Sequence, residues 1–304
     1  EPALLAMVLM SLCIACLVAE QMVRGRARYG RLARGTRRSA TRYALGNFRF
    51  LAPVFLAALC AAAIAVPLGM IGYWLTQSGN AATTVAASTL GAVAQAAWAS
   101  VRLGFGGAAL TMALALPLGL LATRYDGWII TMLERAAYLA QGIPGIAVAL
   151  ALITLTVHAL HPLYQSTFAL LFAYAVLFLP LALVSVRAAL MQAQLRLEEA
   201  GRSLGLSAFA VLFRITLPLA APGLGAAAAM VFISVTTELT ATLLLAPLGT
   251  QTLATQIWAN TSTVAFAAAA PFAAALAAMS MAASWLLARR FGAASVLSLS
   301  HGAV

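Results

Sequence analysis

Charge is scarce in this sequence: only 8% of its 304 residues are Asp, Glu, Lys or Arg, against about 25% in ordinary soluble domains. With 63% hydrophobic residues, too little polar surface remains to clothe a soluble globule, which excludes that class. Lysine is absent altogether: all 18 basic residues are arginine and seven acids oppose them, giving a net charge of +11. Beside so much alanine, that absence reads as GC-rich coding rather than chemistry. Cysteine is also sparse, and Cys13, Cys16 and Cys60 all fall inside apolar runs, too few for a disulfide framework. The C-x-x-C of Cys13 and Cys16 has no second ligand pair nearby and reads as helix packing. Missing too are H-E-x-x-H, G-x-S-x-G and the phosphate-cradling G-x-x-x-x-G-K-[ST], so no catalytic role, bound cofactor or bound nucleotide is expected of the chain itself. His158 and His161 lack a neighbouring carboxylate or cysteine and do not make a metal site.

What the sequence has instead is long apolar runs. At about 20 residues per crossing, seven can span a bilayer, at residues 2–23, 50–75, 101–122, 134–157, 167–186, 217–245 and 264–288. Their length specifies helices rather than barrel strands. The fold class expected is therefore an all-α polytopic membrane protein.

The arginines are placed as topology demands. Nine lie in the break 24–49, Arg124 and Arg135 flank the next break on that side, four lie in 187–214, and Arg289 and Arg290 follow the last run. One side thus collects 17 of 18, while the loops 76–100, 158–166 and 246–263 hold none and Arg102 lies at the outer margin of its helix. That asymmetry places the first side in the cytoplasm, the N-terminus of the segment outside and the C-terminus inside, and it leaves no reason to invoke nucleic acid. The first run lacks the basic n-region and cleavage site of a signal peptide and reads as a true span. The polar segment 24–49 reads as a basic cytoplasmic linker, able to attract anionic lipid headgroups, between this leading helix and a unit spanning 50–288; residues 289–304 read as a cytoplasmic tail.

The break between the fifth and sixth runs, 188–218, is too patterned for a spacer. Its stretch LRLEEAGRSLGLSAFAVLFRITLP has helix-forming composition with Glu198 and Glu199 near its start, Gly205 to stop the helix, and Ser207 to cap a second one. Glu199, Ala200 and Gly201, three residues, Gly205, nine residues, then Ile215-x-Leu217-Pro218 resemble the E-A-A-x3-G-x9-I-x-L-P loop of ABC importer permeases, departing only in glycine for alanine at Gly201. The resemblance covers roughly residue 50 to the C-terminus. It implies a six-helix permease core, here preceded by one extra transmembrane helix, in the bacterial inner membrane.

By that resemblance the loop is the seat of ATPase coupling, through Glu198, Glu199, Ala200, Gly201, Ser203, Leu204, Gly205, Ile215, Leu217 and Pro218: Glu199 makes the charged contact, Ala200 and Gly201 permit close packing, Gly205 forms the turn, and Pro218 marks entry to the next span. The implied partners are two ATP-binding cassette subunits carrying ATP and Mg, a periplasmic or lipoprotein substrate-binding protein, membrane lipid and a second permease half. Because two such loops are needed per transporter and this chain has one, the second half is expected upstream, with 2–23 as its last helix.

TELTATLLLAPLGTQTLATQIW, residues 237–258, is similar to the ferric-iron permeases, and QGIPGIAVALAL, residues 141–152, to their proline-containing pore helix. Permeases for thiamine, phosphonate and polyamine share parts of the pattern. Glu238, a carboxylate inside an apolar run, cannot face lipid; it either belongs to a translocation path or gate with Thr240 and Pro144, or is tied to Thr236, Thr240 or Thr242 as helix glue. A secondary transporter or channel is the rival class, but it needs intramembrane ionisable groups and only Glu238 qualifies. Tyr73, Trp74, Trp98 and Trp258 read as interfacial anchors, and Gly104, Gly106 and Gly107 as close-approach sites.

Overall fold

The computed structural model describes residues 50–78, 83–125, 127–193 and 195–300. The leading run 2–23 and the basic linker 24–49 lie outside the described residues. Eleven α-helices follow one another among them: α1 Leu51–Ser78, α2 Thr83–Arg124, α3 Trp128–Leu139, α4 Gly145–His158, α5 Thr167–Gln192, α6 Leu195–Ser203, α7 Ala208–Val211, α8 Leu217–Thr237, α9 Thr240–Leu245, α10 Leu253–Ser262 and α11 Phe266–Ser300. No strand occurs among the described residues. Among the described residues, five stretches are long and apolar enough to cross a membrane, and the bent pair of α3 and α4, taken as one span, brings the total to six.

Five boundaries differ from the sequence expectation. The loop 76–100 is mostly helix, because α2 begins at Thr83, and the loop 246–263 contains α10. The tail is helical as far as Ser300. The span expected at 134–157 is two helices meeting at 110°. Pro144 explains the break: its ring drives the preceding residue out of the α region, and Ile143 is extended at φ −89°, ψ 123°. The span expected at 217–245 likewise breaks at Glu238, which is extended at φ −72°, ψ 121°.

The core lies where α2, α5 and α8 pack on one another. It is built largely from small side chains, including Ala108, Ala115, Ala173, Ala182, Ala189, Ala220 and Ala227. In hydrocarbon no hydrophobic drive brings helices together, so close backbone approach and dispersion must do so. The approach is closest where Gly223 of α8 meets Ala189 of α5: a Cβ on Gly223 would lie 2.5 Å from the Ala189 Cβ. Gly104, Gly107 and Gly119 let α2 settle against Phe232, Tyr174 and Val186 in the same way. Outward faces are apolar; in the span Leu51–Gln77 of α1 no residue is buried, which suits contact with lipid.

Candidate functional site

Two groups of residues stand out, one at each end of the α2–α5–α8 core. The first is the projection formed by α6 and α7. Helix α6 is followed by a turn at Gly205, whose φ of +87° lies in the left-handed region that glycine adopts freely. The N–H of Leu206 bonds back to the Gly201 carbonyl at 3.1 Å and that of Gly205 to Arg202 at 3.0 Å, closing the helix end. Ser207 then accepts a bond from the Ala210 N–H at 3.2 Å and starts α7, the cap expected from sequence. A π-helical turn at Leu212–Thr216 carries the chain into α8. Such turns hold an extra residue and recur at functional sites.

One face of the projection is locked to the bundle. Glu198 is buried, and its Oε1 accepts bonds from Arg124 Nη2 at 2.5 Å and from Thr216 Oγ1 at 3.0 Å. Arg124 Nη2 also reaches the Leu190 carbonyl at 3.4 Å. A single carboxylate oxygen therefore ties the end of α2, helix α6 and the start of α8. A second ion pair, Arg187 with Glu134, joins α5 to α3. Gly201 lies on the same inward face, where a Cβ would sit 2.6 Å from Ile215 Cδ1. Its small size is thus used inside the chain, against Ile215.

The opposite face is open. Glu199, Ala200, Arg202 and Ser203 are exposed, and Leu204 is 85% exposed at the tip. Ser203 donates to the Glu199 carbonyl at 3.0 Å, an intrahelical bond. Phe209 and Phe213 stack with centroids 4.5 Å apart and remain exposed. Leu217 is half-buried and Pro218 exposed at the entry to α8. The sequence pattern brought all these residues into one loop, and the resemblance gave the charged contact to Glu199, but the burial of Glu198 was not anticipated. Helical spacing was the available signal: Glu198 and Gly201 are three apart, hence on one face, whereas Glu199 is turned away.

The second group gathers around the two helix breaks. Gly145, first residue of α4, lies so close to Glu238 that a Cβ there would be 3.4 Å from Glu238 Oε1 and 3.9 Å from Thr240 Cβ. The start of α4, next to Pro144, is therefore brought against Glu238 and Thr240, which lie far along the sequence. The Glu238 carboxylate accepts the Ala241 N–H at 3.1 Å, one of the orphan donors at the start of α9. Thr242 Oγ1 donates to the Glu238 carbonyl at 2.7 Å, and Tyr174 Oη lies 2.6 Å from Thr242 Oγ1. A hydroxyl has one proton, so Thr242, having given its own, accepts from Tyr174. Of the threonines expected to hold Glu238, Thr242 does so through the backbone carbonyl, while Thr236 donates to Ile233 instead. A narrow crevice beside Glu238 is lined by Ser100, Tyr174, Thr236, Thr242 and Thr252. Replacing Tyr174 by Phe is expected to cost about 1 kcal/mol, read as a lower unfolding midpoint in detergent, because the buried Thr242 oxygen loses its donor.

Several apolar spans, one of them bent sharply at Pro144, with a charged two-helix projection at one end, define a multi-span helical membrane protein. The family described as the binding-protein-dependent transport system inner membrane component matches residues 115–291, over half of the chain, and the chain belongs to that family. It is therefore a multi-pass inner-membrane permease component, not an enzyme in itself. It is 34% identical over 277 residues to the Fe(3+)-transport system permease protein FbpB 2 of Haemophilus influenzae, a match covering 89% of this chain and 53% of that protein. The chain thus spans about half the length of that curated relative. In fold it is similar to a chain of the MetNI methionine ABC transporter in an inward-facing conformation, with a TM-score of 0.51 and 18% identity, over 65% of this chain and 95% of that one.

Proposed function

We propose that the chain is the membrane-spanning part of an ATP-driven, binding-protein-dependent importer of ferric iron, and that the α6–α7 projection couples it to a cytosolic ATPase. The observation that carries this reading is the two-faced projection: Glu198 and Gly201 are engaged inward, which makes it a rigid lever, while Glu199, Ala200, Leu204 and Phe209 are left for a partner. Exposed apolar residues around a charged contact suit a protein groove. Ile215, Leu217 and Pro218 continue the lever into α8, so that its movement becomes movement of a span.

In this reading the projection faces the cytoplasm, with the C-terminus on the same side. Two ATP-binding cassette subunits bind ATP and Mg, a binding protein delivers cargo from the other side, and a second permease half, fused or separate, completes the path. Closure of the ATPase pair drives the levers, and the halves alternate between inward-open and outward-open states. Iron as cargo is supported by the name of the relative that is 34% identical. Glu238, Thr240 and Pro144, gathered where the start of α4 packs against the Glu238 turn, are the path residues of this scheme.

The test is uptake of radioactive ferric iron into proteoliposomes holding the assembled transporter, its ATPase and its binding protein. Leu204→Glu places a charge in the apolar contact and is expected to lower ATPase binding and uptake by at least about tenfold, the scale of a hot-spot residue. Uptake driven by an ion gradient without ATP would overturn the reading in favour of a secondary transporter.

A further inference from the structure

Helix α2 is fastened by buried polar bonds at two distant points. At one end, Arg124 meets the carboxylate of Glu198, which also holds Thr216. At the other, Ser100 Oγ accepts the Leu253 N–H at 2.9 Å, and both residues are buried. Leu253 opens α10, so its N–H is one of the donors that a helix start cannot satisfy internally. Between Ser100 and Arg124 the helix rises about 36 Å at 1.5 Å per residue, more than the hydrocarbon thickness of about 30 Å.

Along that length α2 has little freedom to slide. A Cβ at Gly104 would meet Phe232 and Thr236 at 2.7 Å, and one at Gly119 would meet Val186 at 2.7 Å. Close-packed interiors transmit displacement rather than absorb it. At its far end the rod borders the broken spans, for Ser100 and Thr252 line the same crevice as Glu238.

We infer that α2 is the element that carries movement of the coupling loop to the two helix breaks, with Glu198 and Thr216 as positioning residues at one end and Ser100 at the other. This rests on the importer reading above. If the loop moves, the shared Glu198 oxygen obliges Arg124 to follow. At the far end, the Ser100 bond obliges α10 to follow, and α10 flanks the crevice.

The experiment is a double-mutant cycle on the complete transporter in proteoliposomes, reading cargo delivered per ATP hydrolysed. Glu198→Gln and Ser100→Ala are each expected to lower that ratio by about fivefold, the usual scale of coupling between sites. Both breaks interrupt one rod, so the double variant is expected to be no worse than the worse single one. A double variant that loses the product of the two factors, or singles that leave the ratio intact, overturns the inference. Where Glu198→Gln fails to assemble, Thr216→Val takes its place in the same cycle. The exchange of Arg124→Glu with Glu198→Arg is expected to restore the ratio, which a general packing defect would not allow. Failure of the importer reading is seen separately, as a wild-type complex whose uptake ignores ATP.

Discussion

Replacing Arg124 by methionine is expected to destabilise the chain by about 3–5 kcal/mol, because the buried Glu198 carboxylate then loses its charge partner. The loss should be visible as a large fall in the unfolding midpoint in detergent. Arg124 and Glu198 side chains are only 18% and 7% exposed, so water is in no position to replace the missing guanidinium. Thr216 can still donate to the carboxylate, but one neutral hydrogen bond does not offset the desolvation of a full charge. The double replacement Arg124→Met with Glu198→Leu is expected to regain most of the loss, since two apolar side chains leave no charge stranded. A double variant as unstable as Arg124→Met alone would show that the pair holds the fold by shape, not by charge.

The second large effect is expected at the closest helix contact. Gly223→Ala puts a methyl 2.5 Å from the Ala189 Cβ and 3.1 Å from its Cα, and backbone cannot step aside as a side-chain tip can. Overpacking of this kind costs about 1–3 kcal/mol, here against the small gain alanine brings to a helix. Gly72→Ala is the control: nothing lies within 4 Å of the added carbon, so helix propensity alone acts and the variant is expected to be unchanged or more stable. Equal unfolding midpoints for the two variants would mean that α5 and α8 do not meet as described.

Much of this was open to reading in sequence order. The helical spans follow from run length, since only a hydrogen-bonded helix satisfies its own backbone in lipid. The two-helix loop at 188–218 was legible as a pattern, down to the glycine turn at Gly205 and the cap at Ser207. Glu238 was marked by the cost of a carboxylate in an apolar run. The breaks at Pro144 and Glu238 were harder, because apolar composition continues straight through both and hydropathy has no term for direction. Proline is tolerated within membrane helices: Pro67, Pro117 and Pro180 all sit inside unbroken ones. Only the extended backbone at Ile143 distinguishes Pro144 from these.

By itself, then, the sequence determined that the chain crosses a membrane as helices and that it carries a two-helix loop, because both depend on local pattern and on the solvation of the nearby backbone. Tertiary structure decided which glutamate is held and which is free. Glu198 finds Arg124 across 74 residues and Thr216 across 18, whereas its neighbour Glu199 turns outward. It also decided that Gly145, next to Pro144, lies against Glu238 and Thr240. Those outcomes rest on which helices can approach most closely, and that is set by small residues on α2, α5 and α8 acting together, not by any stretch read alone.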